Sequence, residues 1–362
     1  MLQSPGGFTW FYTDLVDDQG GGATLIWSWG LPFLPGYARA ARIGEPERPI
    51  DRPSVNVAVY GAGRERFYLL SELPAEECAW GEDGRSWRLG ESSFSWTDTE
   101  DGPTGVTPTR TLQGTLDLAL PTGGRATGKL WLSGPLRRDS PGAEFGANAD
   151  GTHVWTPLVA AARGCLELQT PEGALRVEGR GYHDRNSAAR PLQALGIRSW
   201  WWGRLALPGR DLICYRLAPS VTGAAPRDLV VEVAADGSCR TRENAGLQLG
   251  RWHRSVWGLR WPGGATFTDP DGRTVSVEIG PLLDNGPFYQ RFALHGRCGQ
   301  DEGHGLGEHL VSDRIDGDLL RPLVRMRVHR AAGPNSMWLP LFSGHHAGRV
   351  RRLLSRSGTA RS

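Results

Sequence analysis

The stretch TLQGTLDLALPTGGRATGKLWL, residues 111–132, carries the clearest signal of the fold. Its first ten residues place leucine at 112, 116, 118 and 120, and Thr, Gln, Thr and Asp at the odd positions from 111 to 117. After the turn at 121–124, the pattern returns with Leu130 and Leu132 on the apolar side. Because strand side chains alternate with a period of two, the stretch predicts a half-buried β-hairpin.

Short alternating segments of this kind continue in both directions, punctuated by 50 glycines and 25 prolines among 362 residues. Such punctuation favours many short strands over long helices, so we expect an all-β chain of roughly two domains. The loop GHGLG, residues 303–307, is interpreted as flexible. Strands are predicted at 8–16, 22–33, 54–61, 64–73, 82–97, 111–120, 126–132, 152–170, 174–186, 211–217, 228–240, 252–261, 274–280, 287–298, 307–317 and 319–330.

Composition excludes several classes of function. Lysine and arginine total 41 and aspartate and glutamate 39, so no global positive field indicates nucleic-acid binding. The N-terminal residues lack the pattern of a signal peptide, and no apolar run is long enough to span a membrane. The five scattered cysteines predict neither a disulfide framework nor a zinc site, and favour a reducing compartment.

Signatures of cofactor and metal chemistry are missing from the sequence as well. The Gly61-Ala62-Gly63 stretch lacks the third glycine and the helix of a dinucleotide site. His304, His309 and the pair at 345–346 have no matching carboxylate or thiolate cluster, so no metal is expected. Residues 269–272 are interpreted as a hairpin turn, not a calcium loop. We therefore expect no cofactor.

The stretch GRGYHDRNSAARPLQALGIRSWWWGR, residues 179–204, is the least generic part of the chain. In a strand, Tyr182 and Asp184 share one face, and so do Trp200 and Trp202, which gives a phenol, an acid and large aromatic surfaces. That combination is typical of a deep apolar pocket with a few polar groups. The apolar Leu175, earlier in the same predicted strand, has an odd number and therefore lies on the face opposite to Tyr182 and Asp184. Either Gly179 and Gly181 mark a bulge that changes the register, or the site uses the other face of the strand.

Several motifs together resemble the carotenoid 1,2-hydratases, or hydroxyneurosporene synthases, of the lipocalin-like AttH superfamily. The resemblance covers roughly residues 7–330. It is carried by HVW at 153–155, GYHDRN at 181–186, WWWGR at 200–204, PFYQR at 287–291 and GEHLVSDR at 307–314.

The resemblance implies an architecture and a set of functional residues. Two lipocalin-like, calycin-type antiparallel β-barrel domains are expected at 7–190 and 195–332, with a basic flexible tail at 333–362. The alternative interpretation of the last eighteen residues, which carry five arginines and no acid, is a role at anionic lipid surfaces. The family's His-x-Trp and Tyr-x-Asp pairs fall in the first domain, on His153 with Trp155 and Tyr182 with Asp184. Where the wider superfamily continues with His-Asn-Trp-Gly, this chain has Arg-Asn-Ser-Ala at 185–188, a departure that bears on the choice of substrate.

The resemblance also implies a reaction, the cofactor-independent addition of water to the terminal C1=C2 bond of an acyclic carotenoid. Such a hydration needs a proton at C2, a tolerated tertiary cation at C1 and a waiting water, and Asp184 is the candidate acid. To stay protonated near pH 7 its pKa must rise by about three units, through burial among tryptophans. Tyr182 and His153 are expected to position the acid or the water, and Trp155 to offer its π face to the cation.

The substrate-binding candidates are His183, Trp200, Trp202 and Tyr289. The opposing interpretation makes Asp184 an exposed turn residue and Tyr182 and His153 purely structural. Alternative functions are a polyene cyclase or pericyclase, and a non-catalytic carrier of an apolar ligand. We expect a lipophilic small-molecule partner and a cytoplasmic protein, with peripheral contact at the inner face of the membrane and the oligomeric state left open.

Overall fold

The protein consists mainly of two large β-sheets. The structure, a computed structural model, describes residues 1–61, 63–99, 107–136 and 153–345. Both sheets are built almost wholly from antiparallel neighbours and curl on themselves, so the predicted all-β class is confirmed. Among the described residues no helix has the length and apolarity to cross a membrane.

The first sheet has twelve strands in the order β21-β4-β3-β2-β1-β11-β10-β9-β8-β7-β6-β5. Among the described residues of this sheet, only β21 and β4 pair in parallel. The strands are β1 (Phe8–Val16), β2 (Gly22–Trp29), β3 (Pro53–Gly61), β4 (Arg64–Glu72), β5 (Cys78–Trp80), β6 (Ser86–Leu89), β7 (Ser92–Asp98), β8 (Thr109–Ala119), β9 (Arg125–Pro135), β10 (Val154–Thr170), β11 (Gly173–Ala188) and β21 (Val328–Arg330).

The second sheet has nine strands in the order β15-β14-β13-β12-β20-β19-β18-β17-β16. They are β12 (Ile197–Leu207), β13 (Arg210–Pro219), β14 (Arg227–Ala234), β15 (Cys239–Glu243), β16 (Gln248–Arg254), β17 (Arg260–Thr268), β18 (Thr274–Asn285), β19 (Tyr289–Cys298) and β20 (Asp301–Val311).

Helical structure is limited to short connections among the described residues. The α-helices are α1 (Tyr37–Arg42), α2 (Arg321–Arg325) and α3 (Leu339–Phe342), and single 3₁₀ turns occupy Pro49–Asp51, Ala75–Glu77, Leu192–Ala194 and Ser312–Arg314.

The hairpin predicted from residues 111–132 is present as β8 and β9. Leu112 pairs with Leu132 in register, and the inward leucines of both strands are buried. Gly123 and Gly124 in the turn have φ of 88° and 79°, a conformation that favours glycine. The local alternation therefore sets both the strands and the face that they bury.

The first sheet is buried on both faces along β1, β2, β3 and the C-terminal half of β11, which explains the density of aromatic residues there. Its inner face encloses a core of its own that includes Phe11, Trp27 and Val177. Its opposite face packs against the second sheet, and we call the shared interior the inter-sheet core; it includes Trp10, Tyr182, Trp200, Trp202 and Leu310. The second sheet has a further core on its far side, around Trp201 and Phe292.

Two buried arginines connect the sheets. Arg204 on β12 donates to Asp14 on β1 and, at 3.2 Å, to Asp211 on β13. Arg291 on β19 pairs with Glu308 at 2.8 Å and donates to Tyr60 at 2.6 Å on β3. Removing one partner from a buried ion pair leaves an uncompensated charge, so these contacts fix how the sheets are placed against each other.

Three segments differ from the sequence-based expectations. Residues 252–261, predicted as one strand, span the end of β16, a turn and the start of β17. Residues 303–307 are not a flexible loop but the middle of β20. A Cβ at Gly303 or Gly305 would lie within 2 Å of a β12 carbonyl oxygen, so these glycines permit close approach of the two strands.

The chain after β20 returns to the first sheet. Residues 319–330 were expected as one strand, but they form α2 followed by β21, and Pro322 suits the first turn of a helix better than a strand interior. Beyond it, Gly344 bridges to Tyr68 on β4. Residues 328–330 thus join the N-terminal sheet, not the expected C-terminal unit, and 333–345 are part of the packed structure; residues 346–362 of the expected tail lie outside the described residues.

Candidate active site

Asp184 lies near the C-terminal end of β11, in the middle of the first sheet. It is opposite Tyr12 of β1 on one side and Pro157 of β10 on the other. The pairing of β11 with β1 runs from residue 180 to 188 without a shift, so the glycines do not mark a bulge in β11. The even-numbered residues of this strand from Arg180 onward face the second sheet. The candidate site therefore uses the other face of the strand, and it lies between the sheets, not inside the first one.

The carboxyl group of Asp184 accepts three hydrogen bonds. Its Oδ2 accepts from the indole Nε1 of Trp155 at 2.7 Å and from the phenol of Tyr182 at 2.9 Å. Its Oδ1 accepts from Nδ2 of Asn186 at 3.0 Å. Asp184 is 3% exposed, so these donors come from the protein in place of water.

The electrostatic setting favours the uncharged acid. Burial raises the pKa of Asp184 to about 8, and the negative charges of Glu308 and Asp14 act in the same direction. The hydrogen bonds from Trp155 and Tyr182 oppose this rise because they stabilise the carboxylate. Burial also raises the pKa of Tyr182 well above its ordinary value, so the phenol stays protonated. At neutral pH the group is mainly a carboxylic acid.

His153 lies in the same aromatic region as the acid. Its ring is 6.0 Å from that of Phe8 and 6.5 Å from that of Trp10, measured between centroids. Burial lowers its pKa to about 4, which the nearby Asn186 amide partly offsets, so the imidazole is neutral at physiological pH. Neither ring nitrogen has a hydrogen-bond partner of ordinary geometry among the described residues.

The three consecutive tryptophans divide between two cores. Trp200 stacks on Trp10 at 6.5 Å, and Trp202 packs edge-on against Tyr12 at 5.4 Å and beside Tyr182 at 5.6 Å. Trp201 points away and stacks on Phe292 in the far core. The aromatic wall of the site is thus made by the even-numbered tryptophans, as the period of two requires.

Of the other two proposed substrate-binding residues, Tyr289 borders the inter-sheet core and His183 does not. His183 is on the opposite face of β11, stacked on Trp27 at 5.2 Å and hydrogen-bonded to Thr13 at 3.0 Å, so placing it in the site was wrong. Tyr182 and Asp184, its neighbours in sequence, face the second sheet. Because side chains alternate along a strand, His183 points to the opposite side, into the core that the first sheet encloses. Tyr289 does border the inter-sheet core, beneath Arg291 at 5.3 Å and beside Phe33 at 6.1 Å.

Trp155 takes a position that the sequence did not reveal. Its N–H is directed at the acid, and its ring packs edge-on against Tyr215 at 5.4 Å. Asn186 was missed as a site residue although it lies two residues beyond Asp184 and shares its face, which is a signal that the sequence does contain. Arg291 and Glu308, from the PFYQR and GEHLVSDR motifs, form the buried ion pair described above, and Glu308 also acts on the pKa of Asp184.

One group of carboxylates among the described residues has metal-like spacing, at Glu232, Asp269 and Asp271. Each of the three is already paired with arginine, Arg240 or Arg273. Asp269 accepts from the backbone of residues 271 and 273 in the turn between β17 and β18. The cluster therefore consists of two carboxylates of this hairpin turn and Glu232 of β14, and arginines neutralise their charge.

Two packed antiparallel sheets with an acid buried between them form an all-β fold that is similar to the fold of AttH-like proteins. A putative AttH from Nitrosomonas europaea superposes with a TM-score of 0.57 at 15% identity, over 84% of this chain and 92% of that one. The structure of CghA gives 0.54 at 13% identity, over 88% and 90%. At these identities the likeness concerns the fold alone.

The chain belongs to the carotenoid hydratase CrtC family, whose model matches residues 26–336. A hydroxyneurosporene dehydrogenase of Chlorobaculum tepidum is 26% identical over 97% of this chain and 95% of its own. Acyclic carotenoid 1,2-hydratases of Thiocapsa roseopersicina and Cereibacter sphaeroides are 25% and 28% identical, over 91% and 84% of this chain and 75% and 97% of theirs. The resemblance drawn from the motifs and the prediction of a hydratase-type enzyme are confirmed.

Proposed function

We propose that the protein adds water to the terminal C1=C2 bond of an acyclic carotenoid, with Asp184 as the general acid. The observation that carries the proposal is a buried carboxyl group that is held by three donors and surrounded by aromatic rings, and whose pKa burial raises to about 8. An unactivated alkene has no charge or dipole to bind, so its protonation depends on an acid that keeps its proton at neutral pH and is fixed in a site from which bulk water is excluded.

The hydrogen bonds indicate which oxygen carries the proton. A carboxyl group offers about four in-plane positions, two on each oxygen. Trp155 and Tyr182 occupy both positions on Oδ2, and the indole N–H can only donate. Asn186 occupies one position on Oδ1. The acid proton therefore takes the remaining position on Oδ1.

The same donors assist the reaction as it proceeds. When the proton passes to C2, the C1=C2 π electrons form the new C–H bond, C1 becomes a tertiary cation and Asp184 becomes a carboxylate. Hydrogen bonds to a charged acceptor are roughly twice as strong as neutral ones, so all three donors bind the developing anion more tightly than the acid. The rings of Trp200 and Trp202 can face the cation, worth about 0.5–2 kcal/mol each when desolvated.

Water then attacks C1 and must lose a proton. Asp184, with a pKa of about 8, is a stronger base than His153, with a pKa of about 4. That difference favours the carboxylate by roughly 5 kcal/mol. We therefore assign His153 to hold the water as a neutral hydrogen-bonding group, while Asp184 recovers its own proton and the acid is regenerated without an external donor.

The proposed substrate dissolves in lipid, so peripheral contact with a membrane is part of the proposal. The relatives' names include a dehydrogenase as well as hydratases, and a polyene cyclase or a carrier remain the alternatives. Incubating the purified protein with lycopene and with neurosporene, and weighing the products, distinguishes all of them. Hydration adds the mass of one water, cyclisation leaves the mass unchanged, dehydrogenation removes hydrogen and a carrier yields no product.

A further inference from the structure

Exposed apolar side chains concentrate around the three α-helices. Large apolar side chains at the protein surface are usually scattered singly, and contiguous groups mark interaction surfaces. Of ten such side chains among the described residues, five belong to this region. They are Ile43 after α1, Leu319 before α2, and Met337, Trp338 and Leu341 at α3, and together we call them the helical patch.

The exposure at α3 is fixed by packing. Leu339 is 1% exposed and anchors the helix, and Gly344 is hydrogen-bonded in both directions to Tyr68 of β4. Trp338 and Leu341 are three residues apart, so they lie on one helical face, opposite the anchor. Both are nearly half exposed, and Met337 is 83% exposed. The backbone of this segment is therefore fixed by packing and hydrogen bonds, while its apolar side chains point to solvent.

The three helices form one continuous surface. Asp316 accepts hydrogen bonds from the backbone of Gly36 and Arg39 at the start of α1, and from Arg321 at the start of α2. A cavity of about 420 Å³ runs between Pro35, α2 and residues 334–336. The α3 part of the helical patch directly follows residues 334–336, which line this groove.

Arginine is the main charge of the segment after Asp318. Described residues 319–345 contain four arginines and no aspartate or glutamate. Arg325 and Arg330 line the groove and are exposed, and Arg330 pairs at 3.2 Å with Glu72, which also lines the groove. Asp318, the last acid of the chain, borders the patch and is paired with Arg321. Tryptophan and aliphatic side chains flanked by arginine are the composition that binds at the boundary of an anionic membrane.

We propose that the helical patch docks on an anionic lipid bilayer and that its groove is where the substrate enters. The second half of this proposal rests on the proposed function. Val328 lines the groove and is also part of the inter-sheet core. Phe33, two residues before Pro35, packs against Trp10, Trp200 and Phe288. A carotenoid leaving the bilayer here meets the aromatic wall of the site without crossing water.

The test uses the full chain and vesicles without substrate, so it is independent of whether hydration occurs. Flotation is measured with phosphatidylcholine vesicles and with vesicles that also contain phosphatidylglycerol. The variant M337S/W338S/L341S removes three apolar side chains of the patch. The control W131S/V221S/W252S removes three exposed apolar side chains elsewhere. Thermal unfolding checks that both variants are folded.

We expect the wild type and the control to bind the anionic vesicles, less so at high salt, because the arginine contribution is screened. We expect the patch variant to bind at least about tenfold more weakly, since three apolar side chains no longer leave water on binding. Unchanged binding by the patch variant, or no binding by the wild type, overturns the proposal. So does a concentration-dependent dimer that the patch variant abolishes, because the patch is then an interface between two copies.

Discussion

The indole N–H of Trp155 donates a hydrogen bond to Oδ2 of Asp184 across 2.7 Å, from the neighbouring strand β10. In register Trp155 is opposite Asn186, not Asp184, so the contact is diagonal and uses the full length of the indole. The relationship gives the motif pairs a physical meaning: the tryptophan of His-x-Trp and the tyrosine of Tyr-x-Asp hold the same oxygen of one acid.

The first prediction concerns the pH dependence of turnover. We expect activity to fall as pH rises through about 8, because Asp184 then loses its proton. Trp155→Phe and Tyr182→Phe each remove a hydrogen bond that lowers the Asp184 pKa, so the alkaline limb should move to higher pH in both variants. Both should also lose turnover by about 10- to 100-fold, the worth of a hydrogen bond to a charged group. A limb that moves to lower pH in either variant contradicts the assigned donors.

The second prediction concerns stability. Between the unfolded pKa of about 4 and the folded pKa of about 8, folding takes up a proton on Asp184, so stability falls as pH rises across that range. Asp184→Asn has no such proton. Its unfolding free energy relative to the wild type should therefore rise by up to about 1.4 kcal/mol per pH unit, and level off above about pH 8. Denaturant unfolding at a series of pH values measures this, and a difference that does not change with pH indicates that Asp184 is already ionised in the folded protein.

The third prediction concerns Asn186. Asn186→Ala removes the donor to Oδ1 and should lower turnover by about tenfold or more, while substrate affinity stays near its normal value, since the amide acts mainly on the developing carboxylate. Asn186→Gln keeps the amide and should recover part of the rate. Steady-state kinetics with a detergent-dispersed carotenoid separates the two effects; loss confined to KM, with kcat unchanged, would assign Asn186 to substrate binding instead.

The fourth prediction uses the tryptophan triplet as its own control. Trp202→Leu removes an aromatic face from the inter-sheet core and should lower turnover by about three- to thirtyfold, the worth of one cation–π contact. Trp201→Leu makes a change of the same kind on the far face and should affect stability more than turnover. Turnover per folded molecule is compared for the two variants. Equal losses would mean that the triplet acts through folding alone.

Local periodicity predicted most of the strands because alternation is written in neighbouring residues. The leucines of β8 and the parity of Trp200 and Trp202 needed no tertiary information. The same rule, applied to β11, places Asn186 on the face of Asp184 and His183 on the opposite face. His183 was assigned to the site because it is adjacent to Tyr182 and Asp184 in the motif, and the alternation of side chains was given too little weight. Helix α2 was missed because its apolar residues fit a strand equally well, and Pro322 was the only contrary signal.

Contacts between the two sheets could not be predicted from the sequence. Arg204 and Asp14 are 190 residues apart, and no local pattern connects them. The same holds for Arg291 and Tyr60, which join β19 to β3. The burial of β1, β2, β3 and the C-terminal half of β11 on both faces was equally hidden, because a strand with two apolar faces has no alternation to detect. For that reason the sequence left open which face of β11 carries the acid.

The turnover of Asp184→Asn, measured by the mass of the product formed from an acyclic carotenoid, tests most directly whether Asp184 is the general acid. The amide preserves the shape of the side chain but has no acidic proton to give to C2. The account predicts a folded protein whose hydration falls by at least about 100-fold, the lower end of a general acid's contribution. Hydration by this variant at a rate near that of the wild type would contradict it.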